Sequence, residues 1–165
     1  MSADVTSADE VHREHLRRAV ALAEQGVAAG DGGPFGAVVV RDGQVLAEGW
    51  NQVTADNDPT AHAEVVAIRR ACAAIGSFQL TGATVYSSCE PCPMCLGALY
   101  WARPAAVFFA ASRDDAAAAG FDDSLIYQQL SKPLDERSLP IRQLALPEAG
   151  GPFARWAAEE SRTRY

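Results

Sequence analysis

Apolar positions recur along this chain with a period of about 3.6 in some stretches and of two in others, the marks of helices and strands respectively. Leu16, Ala19, Ala23 and Val27 share one helical face with Val11 and Val20 beside them, and Ser7-Ala8-Asp9-Glu10 reads as a capping box opening that helix. The helix ends by Gly30, where Asp31-Gly32-Gly33-Pro34 spells a loop. Phe35 to Val40 and Gln44 to Gly49 are strand-like runs joined by Arg41-Asp42-Gly43, a hairpin signal. Asn51 to Pro59 is polar loop. Pro59-Thr60 then opens a second helix that runs to about Ala74, with Val65, Ile68 and Cys72 at helical spacing and Arg69 and Arg70 pointing outward. Ala83 to Ser87 reads as a third strand. Pro93 to about Ala102 reads as a helix that is apolar nearly all round, and is therefore expected to be buried. Ala105 to Ala111 is a fourth strand, Ser112 to Ala119 and Asp122 to Leu130 are short helical pieces, Pro140 to Leu146 is an expected fifth strand, and Phe153 to Ser161 a last helix.

The step from the third strand through the apolar helix to the fourth favours a parallel pair joined by a right-handed crossover, whereas the hairpin supplies an antiparallel pair. The expected architecture is α/β: a mixed five-stranded sheet with helices on both faces, three layers in all. No repeat, low-complexity tract or linker interrupts the pattern, so residues 1–165 are expected to form a single domain.

Composition narrows the function. Apolar types are 48% of the 165 residues, enough for one sizeable core. The net charge of −7 and the single lysine, Lys132, argue against a nucleic-acid partner, because phosphate contacts draw on Lys and Arg. No apolar run approaches the roughly 20 residues of a membrane helix, and the polar, acidic N-terminus carries no secretory core, which points to a cytoplasmic protein with no membrane partner. In that compartment the four cysteines are expected to be thiols, and clustered thiols bind metal or catalyse more often than they pair.

The chemistry concentrates in two segments about thirty residues apart: His62-Ala63-Glu64, at the start of one helix, and Pro91-Cys92-Pro93-Met94-Cys95, at the start of another. One imidazole and two thiols make three ligands of the kind zinc prefers, and three protein ligands leave a fourth tetrahedral position for water, the catalytic pattern. Cysteines three apart on a helix are neighbours, and the positive end of the helix lowers their thiol pKa. Pro93 fits the first turn, where a missing N–H costs little. Zinc lowers the pKa of bound water from 15.7 to about 7, and Glu64 is placed to carry the proton. One tension stands in this reading: residues two apart on a helix point about 200° apart. His62 and Glu64 can therefore share a site only if the first turn is irregular or the metal sits beyond its end.

Duller readings compete. Cys92-x-x-Cys95 alone is a redox motif. Cys89, Cys92 and Cys95 form a run that an iron–sulfur cluster could use, but its fourth ligand would have to be Cys72. A zinc that merely stabilises an interaction module needs no adjacent carboxylate. Cys89 is read as a buried thiol near the site, Cys72 as core packing, and His12 and His15 as solvated. Histidine–x–glutamate with proline–cysteine–x–x–cysteine is the known signature of zinc nucleobase deaminases.

With these segments, the sequence resembles the cytidine deaminase superfamily, and within it the bacterial guanine deaminases. The resemblance runs from Gly32-Gly33-Pro34-Phe35-Gly36-Ala37 through Asn57–Glu64, Ser88–Cys95, Leu99–Pro104 and Ala119–Ser124 to Tyr165. It implies a cytidine deaminase-like fold, one Zn²⁺ per subunit on His62, Cys92 and Cys95, and conversion of guanine and water to xanthine and ammonia, with a hydroxide generated by zinc as nucleophile and Glu64 as proton shuttle. It implies further that Asn51 binds the purine, that Phe35 and Trp101 help to form its pocket, and that the Ala63 backbone contacts the base edge. By the same resemblance Asp123 reaches the substrate amine, and Tyr165 closes over a site in a homodimer whose C-terminal segment, from about residue 150, can be exchanged between subunits. Without the resemblance, Asn51 is a turn residue, Phe35 and Trp101 are core, Asp122 and Asp123 cap a helix, and Tyr165 is a frayed end. Trp50, bulky and next to Asn51, is expected to reshape the pocket. Alternative substrates are cytosine, cytidine, guanosine or ammeline; a tRNA adenosine is less in keeping with the charge.

Overall fold

The computed structural model describes residues 2–165, and side chains from residue 9 onward. The chain divides into two compact units, one ending at Asp123 and one spanning Ser124–Tyr165.

The first unit opens with helix α1 (Ser2–Ala29), which starts five residues ahead of the expected Ser7 cap; the side chains of Ser7 and Ala8 lie outside the described set. Strands β1 (Gly36–Arg41) and β2 (Gln44–Trp50) form the expected hairpin. The polar loop after it holds one helical turn, α2 (Val53–Asp56), which is too short for a period to announce. Helix α3 (Ala63–Ile75) begins three residues later than Thr60, because Asp58 bonds both the Thr60 N–H (2.8 Å) and its hydroxyl (2.7 Å) and holds that segment in a turn. Strand β3 (Thr84–Cys89), helix α4 (Pro93–Ala102), strand β4 (Ala106–Ala111) and helix α5 (Arg113–Ala118) complete the unit. Ser112 and Asp115 close a capping box at the start of α5.

The sheet order is β2-β1-β3-β4, with β1 antiparallel to both neighbours and β3 parallel to β4. It has four strands, not five. Pro140 to Leu146 is irregular and exposed. Its apolar residues fall out of phase, Ile141 on one parity and Leu144 and Leu146 on the other, so no single strand face collects them.

Alternation along β1 builds a core on each face. Val38 and Val40 join Tyr86 against Ala19 and Leu22 of α1. Ala37 and Val39 join Val85 against Ala63, Ala67 and Ala71 of α3 and Leu99 and Ala102 of α4. The three layers are thus α1, sheet, and α3 with α4. Gly49 allows the closest part of this packing: a Cβ there would lie 2.5 Å from the Ala63 carbonyl oxygen and 2.7 Å from the Ala67 nitrogen. The first turn of α3 therefore sits directly on the end of β2.

Two expectations fail on the flanks. Helix α4 is not enclosed: Cys95, Leu99 and Ala102 are buried, whereas Tyr100 is 77% and Trp101 65% exposed. His12 and His15 are half-buried, not solvated: His12 Nδ1 lies 2.8 Å from the Tyr86 hydroxyl and its ring stacks on Phe108, while the His15 ring tilts over Tyr86.

The second unit carries helices α6 (Ser124–Leu130) and α7 (Gly151–Ala158) with irregular chain between. None of its residues is buried, and Leu125, Leu130, Leu139, Leu144, Leu146 and Phe153 are each more than half exposed.

Candidate active site

The sheet brings one set of ends together: the start of β1 and the ends of β2, β3 and β4. Register fixes this, since Gly36 pairs with Trp50, Ala37 with Ser87, and Cys89 with Ala111. Helices α3 and α4 begin at the same end. Just beyond β2, the Asn51 N–H bonds the Phe35 carbonyl (3.0 Å) and the Gln52 N–H bonds that of Ala61 (2.9 Å), which carries the chain into His62.

His62 is the N-cap of α3, with extended backbone angles (φ −68°, ψ 153°), and Cys92 is the N-cap of α4 in the same conformation (φ −64°, ψ 168°). Neither side chain caps its helix by a hydrogen bond. The 200° problem is solved this way. His62 stands outside the helix, and only Glu64 takes a helical direction. Likewise Cys92 and Cys95 are not helical neighbours of one face but a cap and a first-turn residue.

His62 Nδ1 lies 3.5 Å from both the Cys92 and the Cys95 sulfur, and all three donor atoms fall within 4.8 Å of one another. Bond lengths of about 2.0–2.1 Å to nitrogen and 2.3 Å to sulfur at tetrahedral angles require a nitrogen–sulfur edge of about 3.5 Å. The cluster has that edge without rearrangement, so the donors fit zinc in type and in spacing. Charge agrees. Hydrogen bonds from the Cys95 thiol and from His62 bring the Cys92 thiol down to about 4 against the cost of its burial, making it a thiolate at neutral pH. The bond to Cys92 in turn raises His62. Cys95 holds its proton more tightly than a free thiol because it donates to Cys92.

Glu64 is 6% exposed. Its Oε1 accepts the Ser87 hydroxyl at 3.1 Å, and burial pushes its carboxyl above the usual range. Ser87 was not singled out from the sequence. Its signal was there: in Thr84-Val85-Tyr86-Ser87-Ser88-Cys89 two serines stand where a buried strand prefers apolar residues, and each has a partner, Ser88 accepting the Gly36 N–H at 3.0 Å.

The remaining residues distribute as follows. Asn51 is 5% exposed, and its Oδ1 accepts the Gly33 and Val53 N–H groups at 3.2 Å each. Ala63 is wholly buried. Phe35 packs edge-on to Phe121 at 5.0 Å and lines an apolar cavity with Ser88, Cys89 and α1 residues. Asp123 pairs with Arg113 at 3.4 Å; partial burial raises its carboxyl, against the pull of that guanidinium. Cys89 is buried and donates to the Ser112 carbonyl, while Cys72 packs at the edge of the α3-side core. Trp101 is exposed, and Tyr165, in the second unit, packs against Trp156. The Trp50 ring lies on the α1 side of the sheet against Gly26, and its Nε1–H bonds Asp31 Oδ2 at 2.7 Å.

The profile of the cytidine and deoxycytidylate deaminase zinc-binding region matches residues 9–111. The chain belongs to that family. The deaminase is 58% identical to the guanine deaminase of Bacillus subtilis over 154 residues, 93% of this chain and 99% of the relative. A crystal structure of guanine deaminase from Bacillus subtilis superposes with a TM-score of 0.91, covering 93% of the deaminase and 98% of that chain. A tRNA-specific adenosine deaminase of Haemophilus influenzae is 38% identical over 120 residues, 69% of each chain. Among the described residues no helix is long and apolar enough to cross a membrane.

Proposed function

We propose that this deaminase hydrolyses guanine to xanthine and ammonia. The observation that carries the reading is the zinc-sized cluster of His62, Cys92 and Cys95 with a buried carboxyl, Glu64, set two residues from the imidazole. Likeness to a guanine deaminase over almost the whole chain supports the choice of base.

His62, Cys92 and Cys95 would hold the zinc, which when bound would ease deprotonation of a water, lowering its pKa to about 7. The rest falls to the chain. Glu64 takes one proton from the water as a C–O bond forms at the amino-bearing carbon and gives it to the ring nitrogen, then takes the remaining hydroxyl proton and delivers it to the amine as the C–N bond breaks and the carbonyl forms. Its raised pKa and its bond from Ser87 suit a group that must hold and release protons in turn. Asn51 fixes the base. Two backbone donors engage its oxygen, so the free end is the NH₂, which seeks an acceptor such as the purine carbonyl. The Ala63 backbone lies along the base edge, Phe35 and Trp101 flank the ring, and Asp123 meets the leaving amine.

Residues 1–165 act as one catalytic domain that works as a homodimer in the cytoplasm, with the C-terminal segment exchanged and Tyr165 closing a site. The large apolar side chains left exposed in the second unit, Leu139, Leu144 and Phe153 among them, support a covering partner, and four cysteines outside any disulfide suit a reducing compartment. A panel of guanine, guanosine, adenine, cytosine, cytidine and ammeline, scored by ammonia release, tests the substrate. Guanine is expected to turn over fastest; faster release from cytidine or adenine would replace the reading.

A further inference from the structure

Asn51 is useful as a recognition group only if its amide cannot turn over. Two bonds hold it, and one comes from the Gly33 N–H, which belongs to a glycine-rich loop with little conformational preference of its own. That loop is tied down from both sides of Asn51. Before it, the Trp50 indole N–H bonds the Asp31 carboxylate at 2.7 Å. After it, the Asp31 carbonyl accepts the Ala55 N–H at 3.0 Å and the Thr54 hydroxyl at 2.8 Å. Between the anchors, Gly32 presses on the amide so closely that a Cβ would lie 2.2 Å from Asn51 Oδ1. The indole is itself fixed. It rests on Gly26 of α1, and the Arg70 guanidinium lies over the ring, 4.9 Å from its centroid. Arg70 is held in turn by the Glu48 carbonyl (2.9 Å) and Gln52 Oε1 (3.0 Å).

We propose that Asp31 and Trp50 form a strap that positions Asn51, holding the Asp31–Phe35 loop where the Gly33 N–H locks the amide with its NH₂ free for an acceptor on the substrate. The strap thereby sets how well the enzyme recognises that acceptor. It touches neither substrate nor metal. The side chain that does the strapping lies on the α1 face of the sheet, and its effect reaches the site through the loop backbone. This inference rests on the reading of Asn51 as the substrate-binding residue.

The test is a double-mutant cycle on the zinc-loaded protein with guanine as substrate. Trp50→Phe keeps a ring and removes the N–H donor. It is expected to raise KM for guanine about three- to tenfold with kcat changed less than twofold and zinc content intact. Asp31→Ala is expected to match it, and Asp31→Asn, whose amide oxygen still accepts the indole N–H, to restore the wild-type KM. In an Asn51→Ala background, Trp50→Phe is expected to cost nothing further, because its effect passes through Asn51. Wild-type KM in both Trp50→Phe and Asp31→Ala overturns the strap, as does an effect of Trp50→Phe that is undiminished in the Asn51→Ala background. A wild-type enzyme that releases no ammonia from guanine would instead overturn the proposed function, so the two failures are told apart by the control.

Discussion

His62 and Cys92 hold the same post in two helices: each is the extended residue immediately before a first helical turn. From there each side chain escapes the helical direction and meets the other at 3.5 Å, between the nitrogen of one and the sulfur of the other. Both helix N-termini face the cluster, an unfavourable arrangement for a cation alone. The Cys92 thiolate provides negative charge that offsets it.

That placement depends on how closely α3 seats on β2. Gly49→Ala drives a methyl group into backbone atoms of Ala63 and Ala67, which cannot swing aside as a flexible side chain would. We expect a loss of about 1–3 kcal/mol in chemical denaturation, with weaker zinc retention because the first turn beside His62 is displaced. Unchanged stability and unchanged zinc retention would show that α3 has room to spare.

Glu64→Gln keeps the shape and removes the proton carrier. Turnover should fall by roughly 10²–10⁴-fold with zinc still bound. The same variant reports on burial. Below the ordinary glutamate range the carboxyl is protonated whether the chain is folded or not, so it carries no penalty. As pH rises through that range the unfolded chain ionises first, because burial holds the folded carboxyl higher, and stability drops until the folded pKa is passed. Metal-stripped Glu64→Gln should therefore be more stable than wild type at pH 7, with the gap closing below about pH 4. A gap independent of pH would mean the carboxyl is not held up by burial.

The clustering of His62, Cys92 and Cys95, the carboxyl of Glu64 near them and the α/β layering were legible in the sequence because each rests on a short-range rule: a triplet of donors with a fixed spacing, a strand alternation, a helix period. The helix read from Pro93 to about Ala102 is found at Pro93–Ala102 for that reason. What escaped depends on distant partners. Ser87 matters because β3 lies under α3, and Trp50 turns toward α1 because it lies opposite Gly36, which abuts that helix; Thr60 stays out of the helix for a local reason, the turn in which Asp58 holds it. Pro140 to Leu146 was overread, since a few apolar residues of mixed parity imitate a strand.

Asn51→Asp separates the two ends of that side chain. An oxygen still faces Gly33 and Val53, but the donor is replaced by a second acceptor. KM for guanine should rise by about tenfold or more, the equivalent of 1.4 kcal/mol or more of lost recognition. An unchanged KM would remove Asn51 from the binding role.

Deleting residues 162–165 tests the closing role of Tyr165. The fold is expected to survive, because the two cores draw on residues no later than Phe108, while turnover falls sharply. A full rate in the truncated protein would leave Tyr165 with no part in the reaction.

The most direct measurement is guanine turnover as a function of zinc occupancy, from metal-stripped protein to one equivalent per chain. The account predicts no xanthine without metal, then xanthine and ammonia in equal amounts at a rate proportional to bound zinc, saturating at one equivalent. Fully loaded protein that leaves guanine unchanged, or a rate indifferent to zinc, would contradict it.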